Sequence, residues 1–331
     1  MSQAWFSRRC SGGWSGLLVA LLLALPSTLR AAPRAEVMSW VPPYRLEASR
    51  QALRHRAGDV TADQWLSRIG LQFWMPTEDG GLRYVAHREK VDDADVAWFQ
   101  TWARERDVKV LLTVYNHDGK KWNWELARAA FKDHPDRFVA QLVAEVERLR
   151  LDGVDVDLEG NGSLDADRAA FASFVSELSA ALRKRGKLLT VDSFHSPCFN
   201  APHMAWWQDW AGKVDAVHSM GYGDLHEAST ETFTPEGGRE ACMNGEAIFR
   251  FSWQTNWGRT HGYAPAQVLL GLPGGRYEWG GRTLPDHLKD AAAQGAGICI
   301  WDIPGVRGGQ NDARWGSEDA WTALKRFRNG D

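Results

Sequence analysis

The sequence predicts an α/β fold, a (β/α)8 TIM barrel, and three observations predict it. Short apolar strands alternate with segments of helical periodicity. Eight such strands fit in 331 residues. No G-x-G-x-x-G turn follows the first strand, and no internal repeat or interdomain linker breaks the alternation. The rival is a doubly wound open sheet, which alternates in the same way and needs no closure.

The strand candidates are 37–41, 68–75, 108–115, 153–159, 188–194, 214–220, 267–272 and 297–302. Most are short runs of β-branched, aliphatic or aromatic residues, the pattern of strands buried on both faces. Apolar residues recur at helical spacing over 94–106, 135–150, 165–185, 202–212, 244–258, 283–294 and 317–327. Pro135 suits a first helical position, and Gly186 suits a left-handed stop after the helix that precedes it. The longest irregular stretch, about 222–243, follows the sixth strand. In a barrel, loops at that end of a strand line the active face.

Residues 1–32 read as a secretory signal peptide and 33–331 as a single domain. Arg8 and Arg9 precede the apolar run 16–25, and the small residues Ala31 and Ala32 follow it. That run is too short to span a bilayer, which takes about 20 residues. An uncleaved anchor is the alternative, and the surroundings of Arg8-Arg9 fit a twin-arginine signal poorly. The expectation is a secreted or periplasmic protein. With 39 Lys and Arg against 42 Asp and Glu, the chain is no basic nucleic-acid binder, and it offers no polybasic membrane surface. A monomer is expected. Its 18 Trp exceed what a core needs and suggest aromatic platforms for a ligand. After signal removal Cys198, Cys242 and Cys299 remain. Cys299 lies in an apolar run and reads as a buried thiol. Cys198 and Cys242 are the plausible bridge, with three unbridged thiols the alternative.

The fourth strand carries the chemistry. Residues 152–159 read Asp-Gly-Val-Asp-Val-Asp-Leu-Glu. Side chains alternate across a strand, so Asp155, Asp157 and Glu159 share one face while Val154, Val156 and Leu158 share the other. A buried carboxylate without a partner costs several kcal/mol, and neighbouring acids raise one another's pKa. A stack of acids climbing towards the strand's C-terminal end therefore delivers Glu159 to the mouth as a general acid. Two alternatives stand beside this. One is an exposed acidic edge strand. The other is a carboxylate site for Mg²⁺ or Ca²⁺, which no His cluster or phosphate loop supports.

This octapeptide resembles the D-G-x-D-x-D-x-E signature of glycoside hydrolase family 18, which includes chitinases, endo-β-N-acetylglucosaminidases and non-catalytic lectins. Met220-Gly221-Tyr222 resembles the family's M-x-Y at the end of the sixth strand. Trp301 resembles the tryptophan that floors the sugar subsite, and Trp40 and Phe73 stand where the family has aromatics. There are departures. Thr113-Val114-Tyr115-Asn116 replaces the small S-x-G-G pattern, Gly223 follows Tyr222 so that Asp224 comes one residue late, and there is no room for an α+β insertion between the seventh and eighth strands.

The resemblance implies a retaining hydrolase of β-1,4 links in N-acetylglucosamine-containing glycans, with no cofactor and no metal. The substrate's own 2-acetamido group would attack C1. Glu159 would protonate the leaving oxygen, Asp157 would hold the acetamido N–H, Asp155 would tune Asp157, and Tyr222 would orient the acetamido oxygen. Trp301, Trp40, Phe73, Met220 and Asp224 would line the sugar site. The rival from another class is a carbohydrate-binding protein on the same fold. Such relatives usually lose the acid that Glu159 supplies here.

Overall fold

The computed structural model describes residues 34–86, 90–162, 164–195, 200–220, 251–273, 278–279, 282–306 and 317–331. Residues 34–331 form one compact unit. Eight parallel strands run β1 (Val37–Val41), β2 (Arg68–Pro76), β3 (Lys109–Tyr115), β4 (Gly153–Asp157), β5 (Leu188–Ser193), β6 (Ala216–Ser219), β7 (Val268–Pro273) and β8 (Gly297–Trp301). The sheet closes because β1 pairs with both β8 and β2, with Ser39 opposite Ile300 on one side and Ile69 on the other. The open-sheet rival is thereby excluded, and β4, paired with β3 and β5, is no edge strand.

Helices pack around this barrel. They are α1 (Leu46–Arg54), α2 (Asp93–Arg104), α3 (Trp124–Arg128), α4 (Pro135–Leu149), α5 (Arg168–Arg183), α6 (Phe251–Thr260), α7 (Leu284–Ala293) and α8 (Glu318–Asn329). Pro135 opens α4, where a missing N–H costs nothing. Phe138, Leu142, Val143 and Val146 form its buried face at helical spacing. Gly186 takes φ +63° beyond α5, in keeping with the sequence pattern. Asp92 caps α2, accepting from the backbone N–H groups of Ala94 and Asp95 while the Asp95 carboxylate accepts from Asp92 N–H.

Two differences from the sequence expectation have local causes. Helix α1, which begins just after Pro42-Pro43, has no counterpart in the periodic pattern, because its apolar stripe is thin, with Leu46, Ala52 and Leu53 its buried hydrophobic residues. The helix expected over 202–212 is instead a 3₁₀ stretch, Met204–Asp209. Met204, Trp207 and Trp210 are all buried, and their spacing of three matches the three-residue turn of a 3₁₀ helix. Trp206 and Trp207 are fully enclosed packing residues. Between β7 and β8 the chain forms a two-stranded antiparallel ribbon, Glu278–Trp279 with Arg282–Thr283, and then α7.

The core has two layers. The larger lies between barrel and helices and takes Val154, Val156 and Leu158 from the acid-bearing segment. The smaller fills the barrel with Met38, Trp40, Leu111, Ala216, Leu269 and Cys299. Gly70 makes room for it. A Cβ there would lie 2.5 Å from Thr113 Oγ1, 2.7 Å from Met38 and 2.8 Å from Trp40. Above this apolar floor the barrel interior becomes polar, and the change occurs at Asp155.

Candidate active site

Asp155, Asp157 and Glu159 climb the inner side of β4 and its exit, as alternation requires. Asp155 is completely buried and fully engaged. Its carboxylate accepts from Trp40 Nε1 at 2.9 Å, Thr113 Oγ1 at 3.0 Å and Thr190 Oγ1 at 2.5 Å. Those donors come from β1, β3 and β5, so the barrel's closure assembles the site. His218 on β6 adds a fourth contact, with Nδ1 3.2 Å from Asp155 and 2.6 Å from Asp192 of β5. Burial pushes the Asp155 carboxyl up, but His218 and the hydrogen bonds outweigh it and hold the pKa below the usual value. Asp155 is therefore a fixed anion.

Asp157 sits one step higher and accepts from Gln72 Nε2 of β2 at 2.8 Å. Its Oδ1 is buried and takes no hydrogen bond from the described residues, and Glu159 is the acid next above it on the strand's exit. Burial and the charge of Asp155 push Asp157 up, whereas the neighbouring Glu159 and the bond from Gln72 pull it down. The net shift is upward. Glu159 is pushed well above the carboxylate range by burial first and then by the neighbouring Asp157 carboxylate. Glu159 is therefore the protonated member near neutral pH, where Asp157, raised to about 7, stands near its own midpoint. Asp155 acts on Asp157 through its charge.

Tyr115 faces Asp157 across the β3–β4 ladder. Burial and the charge of Asp157 push its phenol up, so it stays neutral. Tyr44, beyond β1, is 45% exposed, the mark of a residue at a rim. Burial of its remainder and the charge of Asp302 push it up as well. Asp302 follows Trp301 and is tied to Arg45 at 3.2 Å. The Trp301–Asp302 peptide is cis.

The remaining residues expected at the site fall into three groups. Trp301 ends β8 partly exposed, its ring 5.8 Å from that of Trp40, and Met220 follows β6 at the same end of the barrel. Tyr222 and Asp224 lie outside the described residues, as do Cys198 and Cys242. Two expectations need correction. Trp40 is 1% exposed and serves Asp155 through its indole N–H, so its face is not open to a sugar. Phe73 is 0% exposed and packs against Phe99 of α2, outside the barrel. The inward residue on β2 is its neighbour Gln72, because strand alternation sends the two to opposite faces.

Sequence reasoning missed His218, Asp192, Gln72 and Asn116. The available signal was an ionisable side chain well inside a largely apolar strand, Asp192 in LLTVDS and His218 in VDAVHSM. Asp155, Asp192 and His218 also offer three ligand atoms within 4.8 Å of one another. The oxygens of Asp155 already accept from N–H and O–H donors, which an ion would have to displace.

This geometry is that of a proton donor held at a barrel mouth above a fixed anion, and the sequence matches a family defined by such a strand. The model for glycosyl hydrolases family 18 matches residues 73–319. The chain belongs to glycoside hydrolase family 18. No curated protein matches the sequence. The fold of the family 18 chain is similar to that of a chitinase from Chromobacterium violaceum, at 16% identity and TM-score 0.59, over 88% of this chain and 98% of that one. It is also similar to the Ostrinia furnacalis Group IV chitinase in complex with allosamidin, at 13% identity and TM-score 0.62, over 89% and 98%. The Bacillus cereus spore cortex-lytic enzyme SleL matches at 14% identity and TM-score 0.61, over 91% and 77%.

Proposed function

We propose that this family 18 hydrolase is exported and cleaves β-1,4 links in N-acetylglucosamine-containing glycans, of the chitinase or endo-β-N-acetylglucosaminidase type, by a retaining, substrate-assisted mechanism. The observation that carries the reading is the stack of Asp155, Asp157 and Glu159 climbing one strand to the barrel mouth, with the fully engaged Asp155 anion at its base. The residues support the following sequence. The 2-acetamido oxygen attacks C1, the bond from C1 to the leaving oxygen breaks, and that oxygen takes the proton of Glu159. Asp157 accepts from the acetamido N–H and stabilises the positive charge that develops there. Asp155 sustains that role through its charge. Glu159, now ionised, takes a proton from the water that opens the oxazolinium ring. Trp301 packs beneath the sugar, and on the resemblance alone Tyr222 orients the acetamido oxygen. The leader at 1–32 supports export, and the protein works as a monomer without a cofactor.

C1 is inverted twice on this path, so the first product keeps the β configuration. Proton NMR of a chitin oligomer digest, read before mutarotation, should show the β anomer first. An α product would reject the mechanism. Binding of the oligomer without any release would favour a lectin instead, and release abolished by EDTA would favour a metal enzyme.

A further inference from the structure

From the geometry around the acid we infer that Asn116 is a positioning residue for Glu159, its side-chain amide holding the acid's main chain at the point where the barrel ladder has ended. This rests on Glu159 being the proton donor of the proposed reaction.

The β3–β4 ladder stops at Tyr115 opposite Asp157. The next pairing begins at Gly160, opposite Ala201 in a separate two-stranded ribbon. Glu159 therefore lies between two ladders, with no strand partner for its own N–H and C=O. Asn116, the first residue past β3, supplies both. Its Nδ2 donates to the Glu159 carbonyl at 2.8 Å, and the Glu159 N–H donates to Asn116 Oδ1 at 2.8 Å. A short side chain with one donor and one acceptor group on a planar amide is needed to copy a strand neighbour, and Asn is the residue that provides it. Asn116 is itself fixed, being fully buried, with its carbonyl accepting from Asn123 N–H at 2.9 Å.

The far side of Glu159 is equally constrained. A Cβ on Gly160 would lie 2.5 Å from Leu164 and 2.8 Å from Trp124 of α3. The chain on that side is wedged against packed side chains, so the Asn116 amide decides where the carboxyl stands relative to Asp157. A buried Asn could equally serve stability alone. The two roles differ in what they do to proton donation, and a displacement of about 1 Å at a reacting group can cost about 10²-fold in rate.

The test compares kcat/KM, which covers every step up to departure of the leaving group, for two substrates. One is the N-acetylglucosamine tetramer, whose sugar leaving group requires a proton. The other is a 2,4-dinitrophenyl glycoside of N,N′-diacetylchitobiose, whose leaving group departs without one. Asn116→Ala should lower kcat/KM on the tetramer by about 10- to 100-fold and leave the dinitrophenyl substrate nearly unchanged. Asn116→Asp keeps the volume and the acceptor but loses the donor, and should show the same selectivity should the Ala variant fail to fold. Glu159→Gln is the control. If it slows both substrates equally, or if the unaltered enzyme cleaves neither, the proposed function itself falls. If Glu159→Gln is selective while both Asn116 variants slow the two substrates alike, or neither, the reading of Glu159 stands and the positioning role of Asn116 is overturned.

Discussion

Glu159→Gln should lower turnover of N-acetylglucosamine oligomers by about 10²- to 10⁴-fold, the range for general acid–base work. The substitution keeps the side chain's shape and removes the proton it gives. Binding of the oligomer should persist, because the packing around Trp301 is untouched. The pH profile of the unaltered enzyme carries a second expectation. Burial and Asp157 hold Glu159 well above the ordinary carboxylate range. An acid must be protonated to act, so activity should fall as the pH climbs through that raised pKa, and it should also fall on the acid side as Asp157, raised to about 7, takes up a proton and loses its charge. The alkaline limb of kcat/KM should therefore lie well above the pH at which a free glutamate titrates. A Glu159→Gln enzyme with near-normal kcat would remove Glu159 from the mechanism.

Asp157→Asn should cost activity on the order of 10²- to 10³-fold, the scale of one preorganised electrostatic contact to a developing charge. It should affect kcat more than KM, since the acetamido nitrogen becomes positive only as the ring closes. The same substitution should move the alkaline limb. After burial, the neighbouring Asp157 carboxylate is what holds Glu159 up. The amide that replaces the carboxylate brings no charge and can donate to the Glu159 carboxylate, which favours its ionised form. The limb should shift to lower pH. An unshifted limb would show that the two groups do not share a proton.

The barrel and the acid stack are legible in the sequence because both rest on short-range periodicity. A period of two put Asp155, Asp157 and Glu159 on one face, and the need to neutralise them pointed to a mouth. The same rule, applied to β2, would have placed Gln72 inside and Phe73 outside. The family resemblance points to Phe73, and strand parity overrules it. Trp40 has the inward parity, but its partner Asp155 lies 115 residues away. His218 and Asp192 gain meaning only when β5 and β6 become neighbours. Before closure each is one polar residue among several in a partly apolar strand, indistinguishable from one on a solvated edge. Asn116 carries no periodic signal at all, since its work begins where the strand ends.

The apolar plug beneath the acids gives the protein a chemical clock for its own opening. Cys299 is enclosed there by Met38, Leu111, Ala216 and Leu269, and its S–H donates to the Leu269 carbonyl at 3.5 Å. No alkylating reagent can reach that sulfur unless strands around it part. Peptide-resolved iodoacetamide labelling of Cys299 should therefore advance at the frequency with which the closed sheet opens, far more slowly than labelling of an unfolded chain. Because Trp40 belongs to the same plug and also holds Asp155, each such event disarms the carboxylate stack. Labelling and transient loss of catalysis should share one temperature dependence, so a single thiol measures how long the enzyme remains competent.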